Sequence, residues 1–133
     1  MPVYKSSVSI EATVDDTFAF VSDPRNLARF TGVTSAEPLG GDAVRLTTEA
    51  EDGTQVTEEA WFREKPGRRP RVEWGIDGPH DYHGWLEVDR EGQVCSVTVE
   101  IHTDRGPADA VDAALDRMLL DLKAAVEGRR GPG

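Results

Sequence analysis

The sequence contains one cysteine, Cys95, in 133 residues. An internal disulfide is therefore excluded, which fits a reducing compartment. Positive charge is also scarce: 15 Lys and Arg stand against 25 Asp and Glu, for a net charge of −10. A duplex-binding face needs clustered bases, so nucleic acid is not an expected partner. An anionic membrane surface is disfavoured for the same reason. No apolar run approaches the roughly 18 residues of a membrane span, and the N-terminus lacks a basic stretch followed by an apolar one. Neither membrane insertion nor a signal peptide is expected, and the expected location is cytoplasmic. The chain has no C-x-x-C pair, no G-x-S-x-G and no phosphate-binding glycine loop. No cofactor is expected.

What is present, 38% apolar and 30% charged residues, suits one soluble globular domain. Its expected bounds are residues 1–128, with Arg129 to Gly133 as a disordered tail. The strongest pattern runs from Pro107 to Gly128. Val111, Leu115, Met118, Leu122 and Val126 recur at helical spacing and form one apolar stripe, with Ala114, Leu119 and Ala125 at its margins. Asp109, Asp112, Asp116, Lys123 and Glu127 take the opposite side. Pro107 suits the first helical position, and Gly128 suits the end. Such a helix needs a large apolar surface to lie on.

The preceding residues predict that surface. Val3 to Thr13 reads as a strand, with Val8 and Ile10 alternating with polar residues. Thr13 and Asp16 have the spacing of a capping box before a short helix carrying Val14, Phe18, Phe20 and Val21. Ser22-Asp23-Pro24 stops it, and Pro24 starts a second short helix through Leu27 to Phe30. From Val33 the period becomes two. Strands are predicted at Val33 to Leu39 (an edge, given Pro38), around Val44 and Leu46, and at Thr54 to Lys65. Three more follow at Arg71 to Asp77, Asp81 to Asp89 and Gln93 to Thr103. Turn signals such as Asp52-Gly53, Pro66-Gly67 and Arg90-Glu91-Gly92 separate them at short, regular spacing, which predicts an antiparallel meander.

This order, with Ile10-Glu11-Ala12-Thr13 leading to Asp16, Phe18 and Val21, then Asp23-Pro24 and Phe30, resembles the START-like superfamily. The superfamily is also called Bet v 1-like or SRPBCC, of the polyketide cyclase/dehydrase and lipid-transport type. The hairpin into Val97-Thr98-Val99-Glu100-Ile101 and the long last helix resemble its ending, and the likeness covers about residues 3–127. It implies an α+β helix-grip fold. A curved antiparallel sheet of about seven strands would wrap round the C-terminal helix, with two short helices after strand one. It also implies a small hydrophobic ligand, whether lipid, acyl or polycyclic and polyketide-like, held between sheet and helix. No family catalytic motif is available to carry over. A cyclase- or aromatase-type enzyme using the same cavity without a metal therefore stays open, as does a protein–protein module with a filled cavity.

Strand phase selects the inward set. If Val97, Val99 and Ile101 face the helix, then Tyr82 and Leu86, Val72 and Trp74, Glu58 and Phe62, and Val44 and Thr48 share that face within their strands. The polar members Thr48, Glu58 and Tyr82 need partners there. Glu58 inside would be a candidate general acid or base, unless a register shift leaves it in water beside Glu59. Tyr82 would donate to a ligand carbonyl or tie its hydroxyl to backbone, and Trp74 would stack on a planar ligand or simply pack. The expected pocket is Phe30, Thr48, Glu58, Trp74, Tyr82, Leu86, Met118 and Leu122, with Glu58 and Tyr82 as the candidate catalytic residues. Val111, Leu115 and Val126 are expected to anchor the helix on either side of Met118 and Leu122.

Trp61 and Trp85 fall in the outward phase across Gly75. They form either an exposed patch suited to a homodimer contact through the convex face or a local cover for Gly75 and each other. Arg63, Lys65, Arg68, Arg69 and Arg71 form either a dock for an anionic partner or a solvated tip that guards sheet edges. His80 and His83, with Asp81 between them, are metal-ligand types. Positions three apart in a strand point to opposite faces, however, and no third ligand has a fitting spacing, so no metal is expected. His102 reads as a surface histidine, and Cys95, without a basic neighbour, as a structural thiol.

Overall fold

A computed structural model of the chain describes residues 3–30, 34–49, 52–76, 82–103 and 108–130. Strand β1 (Val3–Ile10) buries Tyr4 and Ile10 by alternation. It ends at Ile10 rather than Thr13, because the Ala12 N–H turns back onto the Ile10 carbonyl at 2.9 Å. Thr13 is taken up as a cap, its hydroxyl accepting from the Asp16 N–H at 3.0 Å. Helix α1 (Val14–Val21) follows, burying Thr17, Phe20 and Val21. The Asp23 carboxylate accepts from the Arg25 N–H at 3.0 Å and starts a single turn of 3₁₀ helix, Pro24–Asn26. Helix α2 (Leu27–Phe30) continues from it and buries Leu27 and Phe30. The expected helix end at Thr31-Gly32 lies outside the described residues.

Six strands then form the predicted meander: β2 (Ser35–Gly40), β3 (Ala43–Glu49), β4 (Gln55–Lys65), β5 (Arg71–Ile76), β6 (Tyr82–Glu91) and β7 (Val94–Thr103). The sheet order is β1-β7-β6-β5-β4-β3-β2, antiparallel at every step. β2 is an edge, and its register shifts between Pro38 and Gly40, where a ladder donor is missing. At the Asp52-Gly53 turn Gly53 takes a φ of 87°, and the Thr54 N–H donates to Asp52 Oδ1 at 2.9 Å.

Helix α3 (Ala108–Arg130) lies against β1 and α2. Leu115, Met118, Leu122 and Val126 of the expected stripe are buried together with Leu119 from its margin, while Val111 is half-buried. Its polar side is tied to β1. Ser6 Oγ donates to Asp116 Oδ1 at 2.9 Å, Lys123 Nζ donates to the Ser9 carbonyl at 2.9 Å, and Glu127 accepts from the Glu11 N–H at 2.9 Å. β1 is the other edge of the sheet, and the Lys123 contact covers a backbone carbonyl of that edge. The helix passes Gly128 and runs on to Arg130, because Gly128 does not adopt the left-handed conformation of a C-terminal cap. The predicted tail thus gives its first two residues to the helix, and residues 131–133 lie outside the described ones. Among the described residues, no helix is long and apolar enough to cross a membrane.

Two tryptophan–glycine pairs shape the sheet. Trp61 pairs with Gly75 on the convex face, and Trp74 pairs with Gly84 on the concave face. A Cβ on Gly84 would lie 3.0 and 3.1 Å from two ring atoms of Trp74 and 2.8 Å from the Glu100 carbonyl oxygen. The Cζ2 and Cε2 atoms of the indole therefore rest close against the glycine.

Candidate functional site

Between the concave face and the first half of α3 is a cavity of about 380 Å³. That is near the lower end of the roughly 300–1,000 Å³ range of small-molecule pockets. Its floor comes from the inward phase of successive strands. β3 gives Val44, Leu46 and Thr48, and β4 gives Glu58, Ala60 and Phe62. β5 gives Trp74 and Ile76, while Tyr82, Ile101 and Thr103 come from β6 and β7. The roof is Ala110, Val111, Ala114, Leu115 and Met118, and Leu27 of α2 closes one side. The lining is mostly apolar, with a few polar groups converging on it.

Five of the eight residues expected in the pocket meet in this lining: Thr48, Glu58, Trp74, Tyr82 and Met118. Phe30, Leu86 and Leu122 do not line it but are buried in the core, the last two with no exposed surface. The helix explains the difference. The Lys123 and Glu127 contacts hold its second half onto β1, so Leu122 packs solidly. The gap opens under the first half instead. Val111 and Leu115, expected as anchors, therefore line the cavity, and only Val126 of that set serves purely as core. Thr103 was missed, although it continues the phase of Val97, Val99 and Ile101 and is buried. Leu27 and Ala110 had no phase signal, because their place depends on how the helices dock.

Glu58 pairs with Leu46 in an unbroken register and is half-buried, while Glu59 is exposed on the other face. The carboxylate therefore belongs to the cavity side. Tyr82 lies opposite Thr103, so two hydroxyl-bearing residues belong to the same end of the lining. Glu58, Tyr82 and Thr103 each make a contact within the chain.

The convex face is built differently. Trp61 lies across Gly75, where a Cβ would come within 2.5 Å of its ring, and the residue also borders the cavity. The Arg63 guanidinium sits 4.7 Å from its ring centroid. Trp85 is covered by Arg71 at 4.2 Å and approached by Lys5 at 5.9 Å, and its Nε1 donates to Glu100 Oε2 at 3.0 Å. Both rings are half-buried under side chains of their own chain, and the atoms nearest to a Cβ on Gly75 all belong to Trp61. Four of the five residues of the basic cluster face acids: Arg63 with Asp42 at 3.1 Å, Lys65 with Glu73 at 3.5 Å, Arg69 with Asp89 at 3.7 Å and Arg71 with Glu87 at 2.8 Å. The Glu87 carboxylate, with Glu73 beside it, holds Arg71 still more firmly protonated than usual.

His83 stacks on His102 with centroids 4.7 Å apart, and His102 Nε2 is 2.8 Å from Glu100 Oε2. The His102 contact, with desolvation opposing it and Trp85 adding to it, pulls the Glu100 carboxyl below the ordinary glutamate range. His80 and Asp81 lie outside the described residues, and among those described no three side chains gather as metal ligands. Cys95 is buried with its Sγ 3.2 Å from Thr17 Oγ1. Burial pushes its thiol up, and the Thr17 bond offsets this only in part, as suits a structural residue.

A family profile described as polyketide cyclase / dehydrase and lipid transport matches residues 1–127. No curated protein sequence matches the chain. Solved structures share its fold over nearly its whole length. DR_A0006 from Deinococcus radiodurans is 22% identical with a TM-score of 0.74, covering 95% of this chain and 98% of its own. A START superfamily protein from Mycobacterium smegmatis is 14% identical with a TM-score of 0.71, covering 96% and 95%. The di-domain ARO/CYC StfQ from the steffimycin biosynthetic pathway is 22% identical with a TM-score of 0.73, covering 96% of this chain and 45% of that one. The fold is the helix-grip fold of the START-like superfamily.

Proposed function

Because the chain belongs to the polyketide cyclase/dehydrase and lipid transport family, we propose that it binds a small hydrophobic molecule between its concave sheet and the first half of α3. One observation carries this reading. The interior is an open cavity of about 380 Å³ rather than a filled core, and its lining is largely apolar with a few polar groups. That same opening speaks against a protein–protein module with a filled interior. Ala114 offers the test. It lines the cavity yet is exposed, so a larger side chain there enters the space without displacing core. Purified protein is screened by thermal shift and native mass spectrometry against fatty acids and aromatic polyketides. A ligand of the wild type is expected to be lost in Ala114→Trp, whose unliganded Tm stays near that of the wild type. Equal binding by Ala114→Trp would place the ligand elsewhere.

A second reading is an enzyme of the cyclase kind that uses the same cavity. It is favoured by Glu58 and Tyr82 both lining the space, where either could move a proton while the walls orient a reactive chain and exclude water. Turnover of an identified substrate is expected to drop in Glu58→Gln or Tyr82→Phe. Full turnover in both variants removes the proton-transfer role.

A further inference from the structure

Sheet pairing gives two histidines a contact that chain order does not. His83 on β6 and His102 on β7 are directly opposite each other, and Gly75 is the next residue in the same row. The row belongs to the convex face, where Trp61 lies against Gly75. The two imidazoles stack with centroids 4.7 Å apart and planes 13° from parallel. His83 is exposed, and His102 is half-buried. His102 Nε2 is 2.8 Å from Glu100 Oε2, and Trp85 Nε1 donates to that same oxygen at 3.0 Å. The Glu100 carboxyl titrates below the ordinary glutamate range, chiefly because of His102, so at neutral pH it is ionised and only accepts. His102 Nε2 is therefore the donor of that bond, and the lone pair of the neutral ring lies on Nδ1. Histidines that ligate metals are held in this way, with the other ring N–H given to a carboxylate that fixes the tautomer.

We infer that His83 and His102 together bind a late first-row divalent metal ion of the Zn²⁺ and Cu²⁺ type on the convex face, with Glu100 orienting His102 and water completing the coordination. Imidazole suits these ions, whereas Mg²⁺ and Ca²⁺ take oxygen ligands. The spacing fits. Directly opposite side chains of an antiparallel pair have Cβ atoms about 4.5–5.5 Å apart. Two nitrogens bound to one tetrahedral Zn²⁺ at about 2.0–2.1 Å stand roughly 3.4 Å from each other, a separation that a tilt of the stacked rings reaches. The net charge of −10 also raises the local concentration of cations around the molecule. The ion joins β6 to β7 on the side of the sheet away from the cavity, so the inference is independent of the proposed ligand. It departs from the sequence expectation of no metal. That expectation weighed His83 with His80 in the chain, whereas the sheet supplies His102.

The full chain is titrated with ZnCl₂, CuCl₂ and MgCl₂ by calorimetry, and its Tm is followed with and without each metal. One Zn²⁺ per chain is expected, with Cu²⁺ bound more tightly and Mg²⁺ not bound. Zn²⁺ at a hundredfold excess over its Kd is expected to raise the Tm by about 5–10 °C. In His83→Gln and in His102→Gln the Zn²⁺ affinity is expected to fall about tenfold or more, and in Glu100→Gln about 10–100-fold. His80→Gln, which removes the other histidine of the chain, is expected to leave the affinity unchanged. The metal-free Tm of each variant shows that it is folded. Absence of Zn²⁺ binding by the wild type overturns the inference, and so does an affinity that survives in either His83→Gln or His102→Gln. Mg²⁺ binding as tight as that of Zn²⁺ also overturns it, because that would be the general attraction of an acidic chain for cations. Unchanged affinity in Glu100→Gln removes the orienting role of Glu100.

Discussion

Gly84→Ala is expected to damage both stability and binding, and the structure says by how much. Gly84 lies on the concave face opposite Ile101, with Trp74 across it from the other side. A methyl group there would meet the Glu100 carbonyl oxygen at 2.8 Å and the Trp74 ring at 3.0 Å. The carbonyl belongs to the backbone of β7 and cannot move without shifting the ladder. The ring borders the cavity and has space to move into it. Overpacking of this kind costs about 1–3 kcal/mol, a fall in Tm of roughly 3–10 °C for a domain of this size. An indole displaced in that direction takes up part of the cavity, so a ligand found in the thermal-shift screen is expected to bind more weakly. Urea denaturation of four proteins separates the two clashes: wild type, Gly84→Ala, Trp74→Ala and the double variant. Removing the ring leaves only the carbonyl clash, so Gly84→Ala should cost less in the Trp74→Ala background, by about 0.5 kcal/mol or more. A single-variant cost below about 0.5 kcal/mol would refute the close approach, since that is the noise of an ordinary surface change. Equal costs in both backgrounds would show that Trp74 does not rest on the glycine. Gly75→Ala is the useful contrast. Its contacts are shorter, down to 2.5 Å, but all are with the Trp61 ring on the convex face, which can swing toward solvent, so its cost is expected to be smaller.

Leu122→Ala is expected to lose about 2–5 kcal/mol in urea denaturation, because Leu122 is fully buried and its removal leaves a void. Its ligand affinity should be retained wherever the variant is folded, unlike that of Met118 variants, since Leu122 does not line the cavity. Thr13→Ala should cost about 1 kcal/mol through the lost cap on the Asp16 N–H, and Thr13→Ser should restore most of it. Glu100 adds a pH dependence. Its folded-state pKa is depressed, mainly by His102, so its contribution is present above the unfolded value of about 4.3 and is lost as pH falls through the lower folded value. Stability measured in steps below about pH 4.3 should therefore decline less steeply in Glu100→Gln than in the wild type. Identical slopes would exclude Glu100 as a source of the acid sensitivity.

The amino-acid sequence by itself determined the order of elements, because periods of two and 3.6, caps and glycine turns are local properties. The inward phase of each strand followed from the same alternation, which is why Thr48, Glu58, Trp74 and Tyr82 were found as cavity residues. The buried stripe of α3 was equally legible, from Leu115 to Val126. Tertiary structure alone decided the rest. β1 sits beside β7, far from it in sequence, and no local pattern encodes that pairing. The Lys123 and Glu127 contacts then pull the second half of α3 onto the β1 edge. This fills the space under Leu122 and leaves the cavity under Val111, Leu115 and Met118. A stripe of apolar residues specifies which side of a helix is covered. Whether the cover is protein or empty space depends on the angle and height at which the helix docks, and those are set by contacts between residues more than a hundred positions apart.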